Sequence, residues 1–147
     1  PVSTFPLERE TSMRLCLATL LCVLGLGCGT DDAVSDPLFG HTHSTEMELY
    51  QITFDGTEVP HTVGVNQYVV LITTRDGVAV ENAQIQLKPW MPDHGHGSDR
   101  DPTVVEEAPG RYVFTEVSYT MPGRWQLITE VRAQPGVDSM VVELDVQ

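Results

Sequence analysis

"RWQLITEVRA" (Arg124–Ala133) and "VDSMVVELDVQ" (Val137–Gln147) stand next to each other, divided by Gln134, Pro135 and Gly136. In the first run Trp125, Leu127, Thr129 and Val131 share one side, with Gln126, Glu130 and Arg132 among the other. In the second Met140, Val142, Leu144 and Val146 share one side, opposite Glu143 and Asp145. A period of two belongs to an extended chain with one covered and one wet face. The Pro-Gly pair between the runs is a turn signal. Strands of this kind form antiparallel sheets that pack face to face.

Five further runs precede these two. "EMELYQITF" (Glu46–Phe54) closes at Asp55, Gly56 and Thr57, and "NQYVVLITTR" (Asn66–Arg75) closes at Asp76-Gly77, a strong turn dipeptide. "VAVENAQIQLKPW" (Val78–Trp90) follows, then "TVVEE" (Thr103–Glu107), short enough to be an edge. "RYVFTEVSY" (Arg111–Tyr119) follows Pro109-Gly110 and keeps Tyr112 and Phe114 on one side. About seven short strands with regular turn signals predict an all-β fold, an immunoglobulin-like antiparallel β-sandwich, with a small barrel as the alternative. No internal repeat is visible. The chain has 147 residues, enough for one domain with a natural core.

A formal charge of −13 excludes ordinary nucleic-acid binding, which requires cations to displace phosphate counterions. It also opposes electrostatic docking on anionic lipid. Near the start, Arg14 is followed by "LCLATLLCVLGLGCG" (Leu15–Gly29), an apolar run too short to span a bilayer comfortably. This reads as a secretory signal peptide, with Met13 the translation start and residues 1–12 upstream of it. Leu24, Gly25, Leu26 and Gly27 before Cys28 resemble a bacterial lipobox, although Gly25 stands where a large aliphatic residue is usual. On that reading Cys28 is lipidated and becomes the first mature residue; the alternative is ordinary cleavage nearby or an uncleaved anchor. The expected location is outside the cytoplasm, periplasmic or associated with an outer membrane. Cys16, Cys22 and Cys28 are the three cysteines, so the mature domain has no disulfide and no cysteine nucleophile. Residues 29–45, rich in Asp, Gly, Ser and Thr, read as a flexible tether, and 46–147 as the folded domain.

The chemistry concentrates in "KPWMPDHGHGSDRDP" (Lys88–Pro102). His94 and His96 are two apart, so an extended backbone projects both to one side, and Gly95 lets the chain bend to close the bite. Neutral imidazole suits zinc, copper and nickel, and a thioether selects Cu(I). Met91 lies three residues before His94, and Met121 sits at another turn, "TMPGRW", from which it can approach. A His/His/Met set is a reasonable copper site. The plainer reading is an exposed polar turn, with Met91 capping the core beside Trp90. Asp93, Asp99 and Asp101 lack the spacing of a calcium loop.

A second His-x-His pair, His41 and His43 with Met47 downstream, falls in the tether and reads as solvated linker. His61 stands alone and reads as a surface residue. No nucleophile elbow, phosphate cradle or convergent carboxylate pair is present, so an enzyme is not expected. The competing reading is a metal-free interaction module at the cell envelope, with Trp90 and Trp125 as contact candidates if they do not pack in the core.

"MPDHGHG" (Met91–Gly97), followed by "GRYVFTEVSYTMPGRWQLITEV" (Gly110–Val131), resembles the YtkA-like domain, related to the FixH group of extracytoplasmic proteins. "GVAVENAQIQL" (Gly77–Leu87) resembles the family's approach to the histidine loop, and the likeness covers roughly Leu49 to Val146. It implies a compact β-sandwich outside the cytoplasm, often lipid-anchored. The FixH branch is associated with haem–copper oxidase assembly and copper supply, which makes a membrane-bound copper protein or oxidase the implied partner. Position by position, the resemblance carries a copper site to Met91, His94, His96 and Met121. FixH-type proteins bear a true membrane helix, whereas this leader is expected to be cleaved.

Overall fold

A computed structural model describes residues 38–55 and 61–147. The leader, Cys28 and the first part of the expected tether lie outside the described residues. Among the described residues nine strands form two antiparallel sheets: β1 (Thr42–Ser44), β2 (Tyr50–Asp55), β3 (Gly64–Thr74), β4 (Gln84–Met91), β5 (His96–Gly97), β6 (Thr103–Ala108), β7 (Arg111–Tyr119), β8 (Gly123–Arg132) and β9 (Val137–Val146). One sheet runs β1-β2-β3-β7-β6 and the other β5-β4-β8-β9. This is the expected sandwich.

The alternation that predicted β8 and β9 is what builds the core. Trp125, Leu127, Thr129 and Val131 have no exposed surface, and Met140, Val142, Leu144 and Val146 are nearly as covered. They share register, Trp125 opposite Leu144 and Leu127 opposite Val142, so each rung contributes adjacent apolar side chains. Against them the other sheet buries Tyr50, Ile52, Phe54, Tyr68, Val70, Ile72, Tyr112 and Phe114. Trp125, fully enclosed, is the largest of these, and truncating it to alanine costs about 3–5 kcal/mol.

Three boundaries differ from expectation, each for a local reason. The tether reading fails at its end: Leu38 is fully buried, and Thr42, His43 and Ser44 pair with Thr53, Ile52 and Gln51. Polar composition hid a short edge strand whose partner supplies the apolar surface. The first expected strand begins late, at Tyr50, because Thr45 and Asp138 bind the backbone of the turn before it. Thr45 Oγ1 accepts the Tyr50 amide, and the Asp138 carboxylate accepts the Met47 and Leu49 amides. The third begins late too, at Gln84. Asn82 takes a left-handed φ of 54°, and the Tyr112 hydroxyl receives the Ala83 amide. "TVVEE" does form an edge, β6, with a register irregularity between Glu106 and Ala108.

Candidate metal centre

β4 and β5 form a small hairpin at one end of the sandwich, with Trp90 opposite Gly97 and Met91 opposite His96. The amides of His94 and Gly95 both donate to the Met91 carbonyl, at 3.3 and 2.9 Å, which closes the turn over Pro92–Gly95. Gly95 sits at φ +67°, a left-handed conformation that favours glycine. Gly97 permits a close approach, since a Cβ there would stand 3.0 Å from the Pro89 carbonyl oxygen. The glycines of the "HGHG" stretch therefore shape the hairpin that carries the two imidazoles.

His94 is exposed and His96 half-buried. Their ring centroids are 5.9 Å apart at 62°. His96 packs edge-on to Trp125, with centroids 5.8 Å apart, and its Nδ1 lies 3.1 Å from the Gly97 carbonyl oxygen. That contact fits an Nδ1–H tautomer, which leaves the Nε2 lone pair able to bind a metal, the usual arrangement of a metal-binding histidine. Two imidazole nitrogens at about 2.0 Å from one ion place ring centroids about 5–6 Å apart, so the observed spacing suits a shared ion.

The two methionines are placed unequally. Met91 is 3% exposed, on the inner side of β4 and opposite His96. Its Cε lies where Gly123 leaves room: a Cβ on Gly123 would stand 2.7 Å from it. Met121 is half-buried against the core, and its carbonyl accepts the Trp125 indole N–H at 3.0 Å. Both turns named in the sequence thus meet around Trp125. Among the described residues no group of three or more His, Cys, Asp or Glu side chains could hold an ion.

The acidic residues of the loop are engaged otherwise. Asp93 faces Arg124 at 3.6 Å, and Arg100 lies 3.7 Å from Asp99 while bonding Glu116. The Ser118 hydroxyl, helped by Arg100, holds the Asp99 carboxyl below its ordinary range.

The other histidines separate from this site. His43 packs edge-on to Phe54, with centroids 6.3 Å apart. No ring contact joins it to His41 among the described residues, and Met47 is 62% exposed. His61 corrects the expectation of a surface residue: it is 4% exposed, stacked on Phe39, with Nδ1 2.9 Å from the Tyr68 hydroxyl. Tyr68 in turn meets the Tyr119 hydroxyl at 3.0 Å, and Tyr119 packs on Trp125 at 5.2 Å. Sequence reasoning missed this aromatic row from His61 to His96, because its five members lie on five separate stretches of the chain. Trp125 is too enclosed to contact a partner, whereas Trp90 is half-exposed.

The sequence profile of the YtkA-like family matches residues 45–130, which include the whole hairpin and the Met121 turn. Among solved structures the fold is similar to a DUF4426 family protein from Pseudomonas aeruginosa, with a TM-score of 0.52 and 11% identity, over 71% of this chain and 94% of that one. Weaker likenesses are to the Lin-41 filamin domain (TM-score 0.48, 13% identity, 71% of this chain and 98% of that one) and the ZirS C-terminal domain (0.45, 12%, 100% and 97%). No curated protein matches. The chain belongs to the YtkA-like family.

Proposed function

We propose that this protein is an extracytoplasmic, lipid-anchored copper carrier, held to the membrane through Cys28, that receives a copper ion at His94 and His96 and hands it to a membrane-bound partner. The observation that carries the reading is the pair of imidazoles 5.9 Å apart on a glycine-shaped hairpin. Met91 lies opposite His96, and the Met121 carbonyl bonds the Trp125 indole on which His96 packs; both methionines are the soft donors that would favour Cu(I) over zinc. An exposed His94 beside a half-buried His96 suits a carrier, since a cargo ion must leave as well as bind.

The test is a competition titration of the metal-free chain with Cu(I) against a chromogenic chelator, repeated with His94→Ala/His96→Ala and with Met91→Leu. Loss of high-affinity binding in the double variant, and a smaller loss in Met91→Leu, supports the carrier. Equal affinity in all three proteins overturns it and leaves the metal-free interaction module.

A further inference from the structure

The β5-β4-β8-β9 sheet ends in an edge that is only partly closed. Among the described residues β5 covers Trp90 and Met91 alone, leaving Gln84 to Pro89 without a neighbouring strand on that side. The Pro89 carbonyl faces away from β8 and accepts the Ser98 amide at 3.3 Å. Strand geometry turns the N–H and C=O of alternate residues the same way, so those of Leu87 and Ile85 also face the open edge. Neither residue's backbone groups find a hydrogen-bond partner there among the described residues. Beside them runs a groove of about 540 Å³, lined by Ile85, Leu87, Pro89, Gly97, Arg100 and Pro102, a volume typical of ligand sites.

The other edges of the sandwich are short or guarded, β1 having only three residues. β6 carries Glu106 and Glu107 and a register irregularity. β9 is covered at one end by Glu46, whose amide bonds the Ser139 carbonyl, and at the other by the exchange of Gln147 with His61 and Val63. Natural proteins blunt exposed edges by such devices; on the open part of β4 only Lys88 and Pro89, at the end next to β5, are of that kind, and Gln84 to Leu87 carries neither a charge nor a proline.

The groove also has a charge of its own. Lys88 is the chain's only lysine, and its Nζ rests 4.7 Å over the Trp90 ring. Every described arginine contacts a carboxylate, whereas Lys88 makes no ion pair among the described residues. Asp101 lines the same groove, so among the described residues Lys88 is a single unpaired cation near one carboxylate, able to meet one acidic group on a guest.

We infer that the open edge of β4 binds an extended segment of another polypeptide by strand addition. The guest's backbone pairs with Ile85 and Leu87, and an acidic guest side chain meets Lys88. A second copy of this chain is a poorer guest. Its β4 offers Lys88 no carboxylate, and two chains of strongly negative charge repel. The site needs no metal, although the groove begins at Gly97, next to His96, so a docked strand would end beside the histidine hairpin.

The probe is a capped hexapeptide, Thr-Val-Glu-Val-Thr-Val, added to the metal-free chain, with amide hydrogen exchange read residue by residue. Exchange at Ile85 and Leu87 slows on binding, and a backbone N-methylated version of the peptide gives no protection. Lys88→Glu weakens binding about fivefold. Ile85→Pro removes one edge amide without touching the β8 ladder, and abolishes binding. Unchanged exchange at both amides with about 1 mM peptide overturns the inference, as does equal affinity for the N-methylated peptide. Protection of the same amides without peptide, growing with protein concentration, also overturns it by assigning the edge to a second copy.

Discussion

Replacing Asp138 by asparagine tests how the two sheets are joined at the end of β9. The carboxylate is 4% exposed and collects four donors: the Thr45 hydroxyl and the amides of Met47, Leu49 and Ser139. Thr45, Met47 and Leu49 belong to the turn that leads into β2, so one side chain fixes that turn to the opposite sheet. A hydrogen bond to a charged group is worth about 1.5–3 kcal/mol, and bonds sharing one acceptor are not additive. Asparagine keeps one acceptor oxygen and turns an NH₂ toward the remaining donors. The expected cost is about 3 kcal/mol at neutral pH, which for a domain of this size lowers Tm by about 12 °C.

The pH dependence gives a second readout. Burial raises the Asp138 pKa, but the Thr45 hydroxyl and the three amides outweigh it and hold the carboxyl below its ordinary value of 3.8. In the unfolded chain the group titrates near that ordinary value, so protons bind the unfolded state more readily. The stabilisation is complete above the unfolded value and is lost as pH falls through the lower folded one. Thermal melts of both proteins across this range should show the gap closing below pH 3.8. A gap under about 1 kcal/mol at neutral pH, or one that acid leaves unchanged, would refute the reasoning.

Gly123→Ala should lose about 2 kcal/mol by thermal melt and weaken Cu(I) binding, because Gly123 sits at φ +129° and a new Cβ meets the Met91 Cε. Thr129→Val should gain about 1 kcal/mol in urea denaturation, since the Thr129 hydroxyl is fully buried without a hydrogen-bond partner among the described residues. Burial raises the Tyr112 pKa above 10.0, with its hydroxyl donating to the Val80 carbonyl at 2.7 Å. Stability should therefore hold below the unfolded tyrosine value and decline as pH rises through the folded one, and Tyr112→Phe should flatten that alkaline limb in thermal melts.

Period-two alternation made the body of the fold legible, because a strand with one covered face must repeat every second residue. It worked best for β8 and β9, whose inner faces are entirely apolar apart from Thr129 and Asp138. It failed for β1 and β5, which are too short to show a period and depend on the strand they join. The reading of His94 and His96 as neighbours on an extended stretch did not foresee the turn over 92–95, in which a left-handed Gly95 sets the two rings 5.9 Å apart; the two turn motifs gather around Trp125. The burial of His61 was not legible, because its covering residues, Phe39 and Tyr68, come from separate stretches. The open edge had a faint local trace: Pro89 within an expected strand marks a residue whose missing N–H faces away from the neighbouring strand.

X-ray absorption at the copper edge of the Cu(I)-loaded chain tests the central claim most directly. A copper carrier of this kind gives a coordination shell of two imidazole nitrogens with at least one sulfur, and loses the imidazole scattering in His94→Ala/His96→Ala. A shell without sulfur, or one that the double variant leaves unchanged, would contradict it.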